Sequence, residues 1–322
     1  MGEEAEPAWR RDIADAYKLF ATKHVDRLTS RQILEAAFAA MRTLTGSSLA
    51  TPALSDVADV VPEDEARFNA ATDALIRERP EIAPEGLRVA AIRAMVQIRP
   101  DGHTLYYPVW SESPVRDLVE GRCEVRSELL PGGIGYIWWN GWVQTDTFDI
   151  LKELRSRLDA LLRDGAKAWL LDVRGNRGGW GARHAVAMFV DGDPVVRNTY
   201  RDGRSEVAYA ERSRRLPAEY QLPIAVTVDS GSWSASEILA FALRSAGRAT
   251  IVGERTAGFV GSIDAIELSG EARVGVKVQH VTGPNGEMYN GVGVQPEIET
   301  TSADAVDAAA RHLREKVTPV NT

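Results

Sequence analysis

The sequence predicts an α/β protein in which a helical N-terminal region precedes a region built on a parallel sheet. Two successive strand–loop–helix units, beginning at Ala168 and Ile224, imply parallel strands that are covered by helices. Before about residue 100, apolar residues recur at helical spacing instead. The 322 residues, of which 44% are hydrophobic, suffice for one large domain or two ordinary ones.

Four helices are predicted in the N-terminal region, which we place at residues 1–100. The first two carry apolar stripes with helical spacing, formed by Ile13, Ala16, Tyr17, Phe20 and by Ile33, Leu34, Ala37, Phe38, Met41. The third and fourth are predicted at 63–78 and 84–96, and Pro80 marks a break between them.

The remaining residues, 101–322, are predicted to form one α/β region. Strand-like alternation is found at 105–107, 124–130 and 134–139, and a helical stripe at 148–162. After the two strand–loop–helix units, a third strand is predicted at 250–253, antiparallel strands at 266–281 and a closing helix at 303–315.

Two loops follow the buried strands of these units. A glycine-rich loop, 174–181, follows the strand at 168–173 and leads into a helix predicted at 182–189. The loop 229–233 leads into a helix that Ser234 opens. Ligands of parallel α/β sheets collect at the carboxyl ends of strands, where both loops lie. The N-terminus of a helix supplies unpaired N–H groups beside the serine, which suits acyl transfer.

Both loops also have a purely structural interpretation. Ser234-Ala235-Ser236-Glu237 is a Ser-x-x-Glu capping box, and it is not the Gly-x-Ser-x-Gly turn of other hydrolases. The glycine-rich loop is compatible with a tight turn, and it lacks the spacing of a nucleotide-binding motif.

Four segments in order carry a family resemblance. The first is residues 170–179, a strand that ends in an Arg-x-Asn-x-Gly-Gly loop. The others are the serine segment 234–238, the strand and loop 247–258, and the Gly-x-Gly-Val-x-Pro-Glu run 291–297. Together they resemble the tail-specific, or C-terminal processing, protease family and its tricorn-core relatives. The resemblance spans roughly residues 100 to 300.

The resemblance implies a ClpP/crotonase-like β-β-α catalytic fold that needs no metal and no cofactor. It implies that Ser234 is the nucleophile, with the N–H of Ala235 and an N–H at Gly178 or Gly179 as oxyanion donors. The interval 105–133 is too short for a PDZ domain.

The chain departs from the family at the general base. The family's lysine, about 25 residues after the serine, is replaced by Phe259, which cannot accept a proton. Residues 101–104 resemble the Asp-Gly-His-Thr segment of the histidine-using branch, so His103 is the candidate base. Asn290 or Glu287 is the candidate that orients it.

Lys277 and the other four histidines receive no catalytic role. Lys277 lies in a strand-like run, and we expect it at the surface. His24, His184, His280 and His312 show no metal-ligand spacing.

The function expected from these residues is that of a serine-type endopeptidase acting on peptides or unfolded protein tails. One alternative is a catalytically silent peptide-binding protein of the same fold, because the lysine is absent and Asn290 is not acidic. A crotonase-like enzyme for acyl thioesters is the other alternative, although no basic site for coenzyme phosphates is evident.

Composition limits the partners and the compartment. A net charge of -8 without a dense Lys/Arg cluster argues against nucleic acid. No window approaches 18 uninterrupted apolar residues, so no transmembrane helix is expected. The one cysteine, Cys123, and the absence of an apolar signal core leave the localisation open, whereas the resemblance implies export. A homo-oligomer remains open.

Overall fold

Two compact units make up the computed structural model, which describes residues 6–113, 116 and 122–317. The first unit comprises Met1–Ser113, Thr199–Arg204 and Gly261–His280. The second comprises Pro114–Asn198, Ser205–Val260 and Val281–Thr322.

The described residues form helices and strands that are numbered in chain order. The helices are α1 (Ala8–Lys23), α2 (Ser30–Thr45), α3 (Pro62–Glu78), α4 (Pro84–Val96), α5 (Ile150–Arg163), α6 (Ala182–Val186), α7 (Ala235–Ser245) and α8 (Ala305–Val317). The strands are β1 (Leu105–Tyr107), β2 (Val125–Leu130), β3 (Ile134–Trp139), β4 (Ala168–Asp172), β5 (Pro194–Tyr200), β6 (Ser205–Tyr209), β7 (Ile224–Val228), β8 (Ala249–Gly253), β9 (Gly261–Glu267), β10 (Arg273–Thr282) and β11 (Ile298–Glu299).

The first unit contains the four helices that the sequence predicts. Thr29 begins α2 with a capping box, since its side chain accepts the Gln32 amide and the Gln32 side chain accepts the Thr29 amide. Pro62 and Pro84 occupy the first positions of α3 and α4, where no amide donor is needed. The stripes of these helices meet in a core that includes Tyr17, Phe20, Phe38, Met41, Phe68, Leu87 and Ile92.

Antiparallel strands from distant parts of the chain complete this unit. β10 pairs with β1 on one side and with β9 on the other. Leu268, Ala272, Val274 and Val276 contribute to the same core as the helices. The β9–β10 register shifts between Lys277 and Gln279, so the ladder is irregular at Lys277.

The second unit is built on a six-stranded sheet in the order β11-β8-β7-β4-β3-β2. Its pairs are parallel except β2 with β3, which are antiparallel. β4 and β7 are buried along their whole length, as expected for central parallel strands with both faces covered.

Alternate residues of the central strands pack on opposite faces of this sheet. Leu171 and Val226 belong to the core that includes residues of α5, α6 and α7. Leu170 and Ala225 belong to a second core that includes residues of α8. The predicted α/β class, with a helical N-terminal region, is confirmed.

Two local differences from the sequence prediction have simple causes. The helix predicted at 182–189 ends at Val186, because the amides of Met188 and Phe189 bond three residues back rather than four. Strands β5 and β6 follow α6 and are not predicted by the sequence, because their residues are mixed polar and apolar without alternation.

Neither a membrane span nor a metal cluster is found in the part of the chain that the structure describes. No helix there has the length and apolar character needed to cross a bilayer. No group of three or more His, Cys, Asp or Glu side chains there could hold a metal ion.

Candidate active site

Ser234 lies at the turn from β7 into α7 in a strained backbone conformation. Its φ is 50° and its ψ is -109°, and among the described residues Arg27 is the other non-glycine with positive φ. Such a conformation costs on the order of 1–3 kcal/mol and persists where the surroundings impose it. Strained strand-to-helix turns of this kind expose nucleophilic serines in hydrolases.

The buried carboxylate of Glu237 lies beneath this turn and accepts four hydrogen bonds. Oε2 accepts the amides of Ser234 at 3.0 Å and Phe259 at 2.8 Å. Oε1 accepts the Thr256 hydroxyl at 2.6 Å and the Gly258 amide at 2.8 Å. Burial raises the pKa of Glu237, and these hydrogen bonds oppose that rise.

The final Gly-x-Gly segment packs directly against the loop that follows β8. A Cβ at Gly258 would lie 2.8 Å from the Gly293 nitrogen, and one at Gly293 would lie 2.3 Å from the Thr256 oxygen. The Gly291 amide bonds the Gly258 carbonyl at 2.7 Å. Glycine is therefore required on both sides of this contact.

The glycine-rich loop after β4 reaches the serine turn. A Cβ on Gly178 would lie 2.7 Å from Ser234 Cβ and 3.2 Å from the Ala235 nitrogen. The Gly178 amide donates to Asn176 Oδ1 at 3.0 Å, so it is already engaged. Ala235 begins α7, so its amide is one that the helix itself cannot satisfy.

Asn176, for which no separate role was predicted, holds this loop in place. Its fully buried side chain also donates to the Trp139 carbonyl at 2.9 Å. Its carbonyl accepts the Trp233 amide at 2.9 Å and the Ser236 hydroxyl at 3.2 Å. An asparagine between glycines is the signal that could have indicated this role, because its amide can satisfy irregular backbone.

An aromatic pair flanks the serine. The rings of Trp233 and Phe259 meet edge to face, with centroids 5.2 Å apart, and both residues are half-buried. The Arg177 guanidinium lies 5.1 Å from the Trp233 ring centroid. Phe259 therefore contributes apolar surface next to Ser234.

His103 belongs to the first unit, whereas Ser234 belongs to the second. The imidazole is 9% exposed, and its Nδ1 is buried with no hydrogen-bond partner among the described residues. Burial and, to a smaller extent, the positive charge of Lys277 lower the pKa of His103, and Asp101 opposes both effects, so that the pKa is about 4.

The expectation that Lys277 lies at the surface is wrong. Lys277 is 2% exposed, and burial lowers its pKa. A Cβ at Gly261 would lie 3.2 Å from Lys277 Cε and 3.3 Å from His103 Cγ, so the two side chains flank this glycine. The alternation of β10 suggests a solvent-facing lysine, but that position faces the buried histidine.

Asn290 and Glu287 make local hydrogen bonds in the second unit. Asn290 Oδ1 accepts the Val260 amide at 3.2 Å. The Glu287 carboxylate accepts the amide of Asn285 at 3.2 Å and its side-chain nitrogen at 3.1 Å. The structure thus brings Ser234, Ala235 and Gly178 together. Asn290 and Glu287 instead accept hydrogen bonds from the backbone amides of Val260 and Asn285.

Comparison with known proteins gives matches over the same region. The model of peptidase family S41 matches residues 133–300. Carboxy-terminal processing protease CtpA of Bacillus subtilis is 32% identical over 184 residues, which are 56% of this chain and 38% of that protein. Carboxyl-terminal-processing peptidase 1 of Arabidopsis thaliana chloroplasts is 31% identical over 169 residues, or 51% and 34%. The chain thus spans between a third and two fifths of these relatives' length.

Solved structures of low sequence identity share the fold. A lipoprotein from Streptococcus agalactiae aligns over 98% of this chain and 100% of its own, with a TM-score of 0.62 and 14% identity. A putative peptidase from Parabacteroides merdae aligns over 88% and 96%, with a TM-score of 0.54 and 18% identity. The family match covers more than half of the 322 residues, and it includes the glycine-rich loop, the serine turn and the final Gly-x-Gly segment. The chain therefore belongs to peptidase family S41.

Proposed function

We propose that this protein is a serine peptidase that cleaves peptides or unfolded protein tails through an acyl-enzyme on Ser234. The observation that carries the proposal is the strained turn of Ser234, set against the amide of Ala235 and the glycine-rich loop. Relatives named as C-terminal processing proteases support a peptide substrate.

In the proposed reaction, Ser234 Oγ attacks the scissile carbonyl while a base takes its proton. The tetrahedral oxyanion accepts hydrogen bonds from the N–H groups of Ala235 and Gly179. Gly179 is favoured over Gly178 because the Gly178 amide already donates to Asn176. The protonated base then gives its proton to the leaving amine, and water hydrolyses the acyl-enzyme.

We assign the base to His103. Phe259 excludes the lysine of the family's usual dyad at that position. A pKa lowered to about 4 keeps the imidazole neutral at pH 7, which is the form that accepts a proton. The support for this assignment is the resemblance of residues 101–104 to the Asp-Gly-His-Thr segment of the histidine-using branch. Asn290 or Glu287 remains the candidate for orienting the ring.

Labelling with a fluorophosphonate probe tests the nucleophile. The wild-type protein is expected to gain one adduct, located on Ser234 by peptide mass spectrometry, and Ser234→Ala is expected to gain none. Ser230→Ala is the matched control, because Ser230 is an exposed serine in the same loop. A wild-type protein that stays unlabelled, or an adduct that persists in Ser234→Ala, contradicts the proposal.

A peptide-binding protein without turnover is the second candidate, favoured by Phe259 at the lysine position and by the unpartnered Nδ1 of His103. Its signature is peptide affinity that is equal in the wild type and in Ser234→Ala, with no cleavage product in either. Cleavage that disappears in Ser234→Ala or in His103→Gln excludes it.

A further inference from the structure

We propose that Glu237 is a positioning residue that holds the nucleophile turn in its reactive conformation. The inference deepens the proposed function and rests on it. The sequence pattern explains Glu237 as the partner in a capping box, a role that needs one hydrogen bond from the Ser234 amide. The other three bonds that its carboxylate accepts go beyond that role.

The four bonds tie two separate segments to one carboxylate. The Ser234 amide comes from the turn after β7, whereas Thr256, Gly258 and Phe259 come from the loop after β8. The Ser234 amide also reaches the Phe259 carbonyl at 2.9 Å, so the two segments are joined twice. Glu237 is fully buried and its partners Thr256 and Gly258 are buried as well, so water cannot replace the carboxylate as the acceptor for these two donors.

The loop after β8 is itself held by the final Gly-x-Gly segment. Thr256 Oγ1, which donates to Glu237, accepts the Val294 amide at 2.6 Å. The Thr256 amide in turn bonds the Val294 carbonyl at 3.2 Å. Glu237 is therefore fixed from a second direction, and it can oppose relaxation of the positive φ of Ser234.

An ionised carboxylate suits this position better than any neutral side chain. Both oxygens accept two donors each, and an ionised carboxylate has acceptor sites alone. In Glu237→Gln the side-chain NH2 group takes the place of one of the two oxygens. It then faces either the backbone N–H groups of Ser234 and Phe259 or the backbone N–H of Gly258 and the hydroxyl of Thr256. At least one backbone donor is then left without its acceptor next to the nucleophile.

The test compares Glu237→Gln with a carboxylate that is equally buried but distant from the site. Asp64 in α3 is fully buried and accepts the Ser55 amide at 2.9 Å, so Asp64→Asn is the matched control. For each variant we measure the melting temperature, the rate of fluorophosphonate labelling at Ser234, and kcat and KM on an unstructured peptide.

Glu237→Gln is expected to slow labelling and kcat by roughly 100-fold, because a misplacement of about 1 Å costs that much. Its KM should stay close to the wild-type value. Asp64→Asn is expected to lower the melting temperature while the folded protein labels at the wild-type rate. Normal labelling of Glu237→Gln, or equal slowing in both variants at matched stability, overturns the proposal.

Hydrogen exchange separates this inference from the proposed function. In Glu237→Gln the amides of Ser234, Gly258 and Phe259 should exchange faster, while those of the β7–β8 ladder stay protected. If the wild type takes no probe, the nucleophile assignment fails, and the exchange rates alone decide whether Glu237 holds the turn. Unchanged exchange at these three amides overturns the positioning role in either case.

Discussion

The approach of Gly178 to Ser234 predicts which glycine cannot be replaced. In Gly178→Ala the new Cβ would lie 2.7 Å from Ser234 Cβ, so the nucleophile or the glycine-rich loop must move. We expect the labelling rate of Ser234 to fall by roughly 100-fold, since displacement by about 1 Å has that effect. The rate is measured per folded molecule with the fluorophosphonate probe.

Gly203→Ala is the control for this substitution. Gly203 has the same φ of 84° as Gly178, and no atom lies within 4 Å of its Cβ position. Both variants should therefore lose a similar stability, on the order of 1–3 kcal/mol, from backbone strain alone. Slow labelling in both variants would mean that strain, rather than the approach to Ser234, is responsible.

Individual residues differ in how far the sequence could predict them. The motif predicts the serine turn, because Ser-x-x-Glu at a strand end is a local pattern. It does not predict the positive φ of Ser234, since helix caps ordinarily have extended backbone. The burial of Lys277 could not be predicted either, because side chains near it, such as that of His103, come from residues far away in the chain.

At the scale of elements, Lys277 of β10 and the histidine before β1 predict an unusual pH dependence. Burial, with a smaller contribution from the neighbouring Lys277 charge, lowers the pKa of His103 to about 4. If His103 is the base, kcat/KM should begin to fall near pH 4 rather than near 6.5, the ordinary pKa of histidine. The pH profile of peptide cleavage measures this limit.

Replacing Lys277 by Met should move that limit upwards. The pKa of His103 rises when the nearby positive charge is lost, but it stays below 6.5 because burial is the larger cause. Lys23→Met makes the same charge change at an exposed residue of α1 and should leave the profile unchanged. A wild-type limit near 6.5, or no shift in Lys277→Met, contradicts the role of His103.

Elements with one strong local signal were predicted well, and those without one were missed. β4 and β7 are short apolar runs next to glycine-rich or serine-rich loops, and both form where the pattern predicts them. β5 and β6 carry mixed polar residues and are largely half-buried or exposed, so no alternation marks them. Their pairing is determined by contacts between elements rather than by local sequence.

At the scale of the whole molecule, each unit collects segments that are far apart in the chain. Residues 261–280 join the core of the N-terminal helices, although they follow the loop that contributes to the serine turn. Apolar alternation indicates that a strand is buried, but it does not identify the partner that buries it. The α/β class was therefore predictable, whereas the division of the strands between the units was not.

The same buried histidine makes the stability of the molecule depend on pH. The pKa of His103 is about 4 in the folded protein and about 6.5 in the unfolded chain, so the unfolded chain binds more protons between these values. The free energy of unfolding should therefore decrease as the pH falls below 6.5, and the His103 contribution between pH 7 and 4.5 is about 2 kcal/mol.

Urea denaturation at both pH values, followed by circular dichroism, measures this difference. His103→Gln should reduce the loss of stability between pH 7 and 4.5 by about 2 kcal/mol, because no imidazole then has to be protonated at this position. His24 is buried as well, and its lowered pKa adds a loss of the same sign that the variant retains. An equal pH dependence in the wild type and in His103→Gln would show that the imidazole is not held neutral by burial.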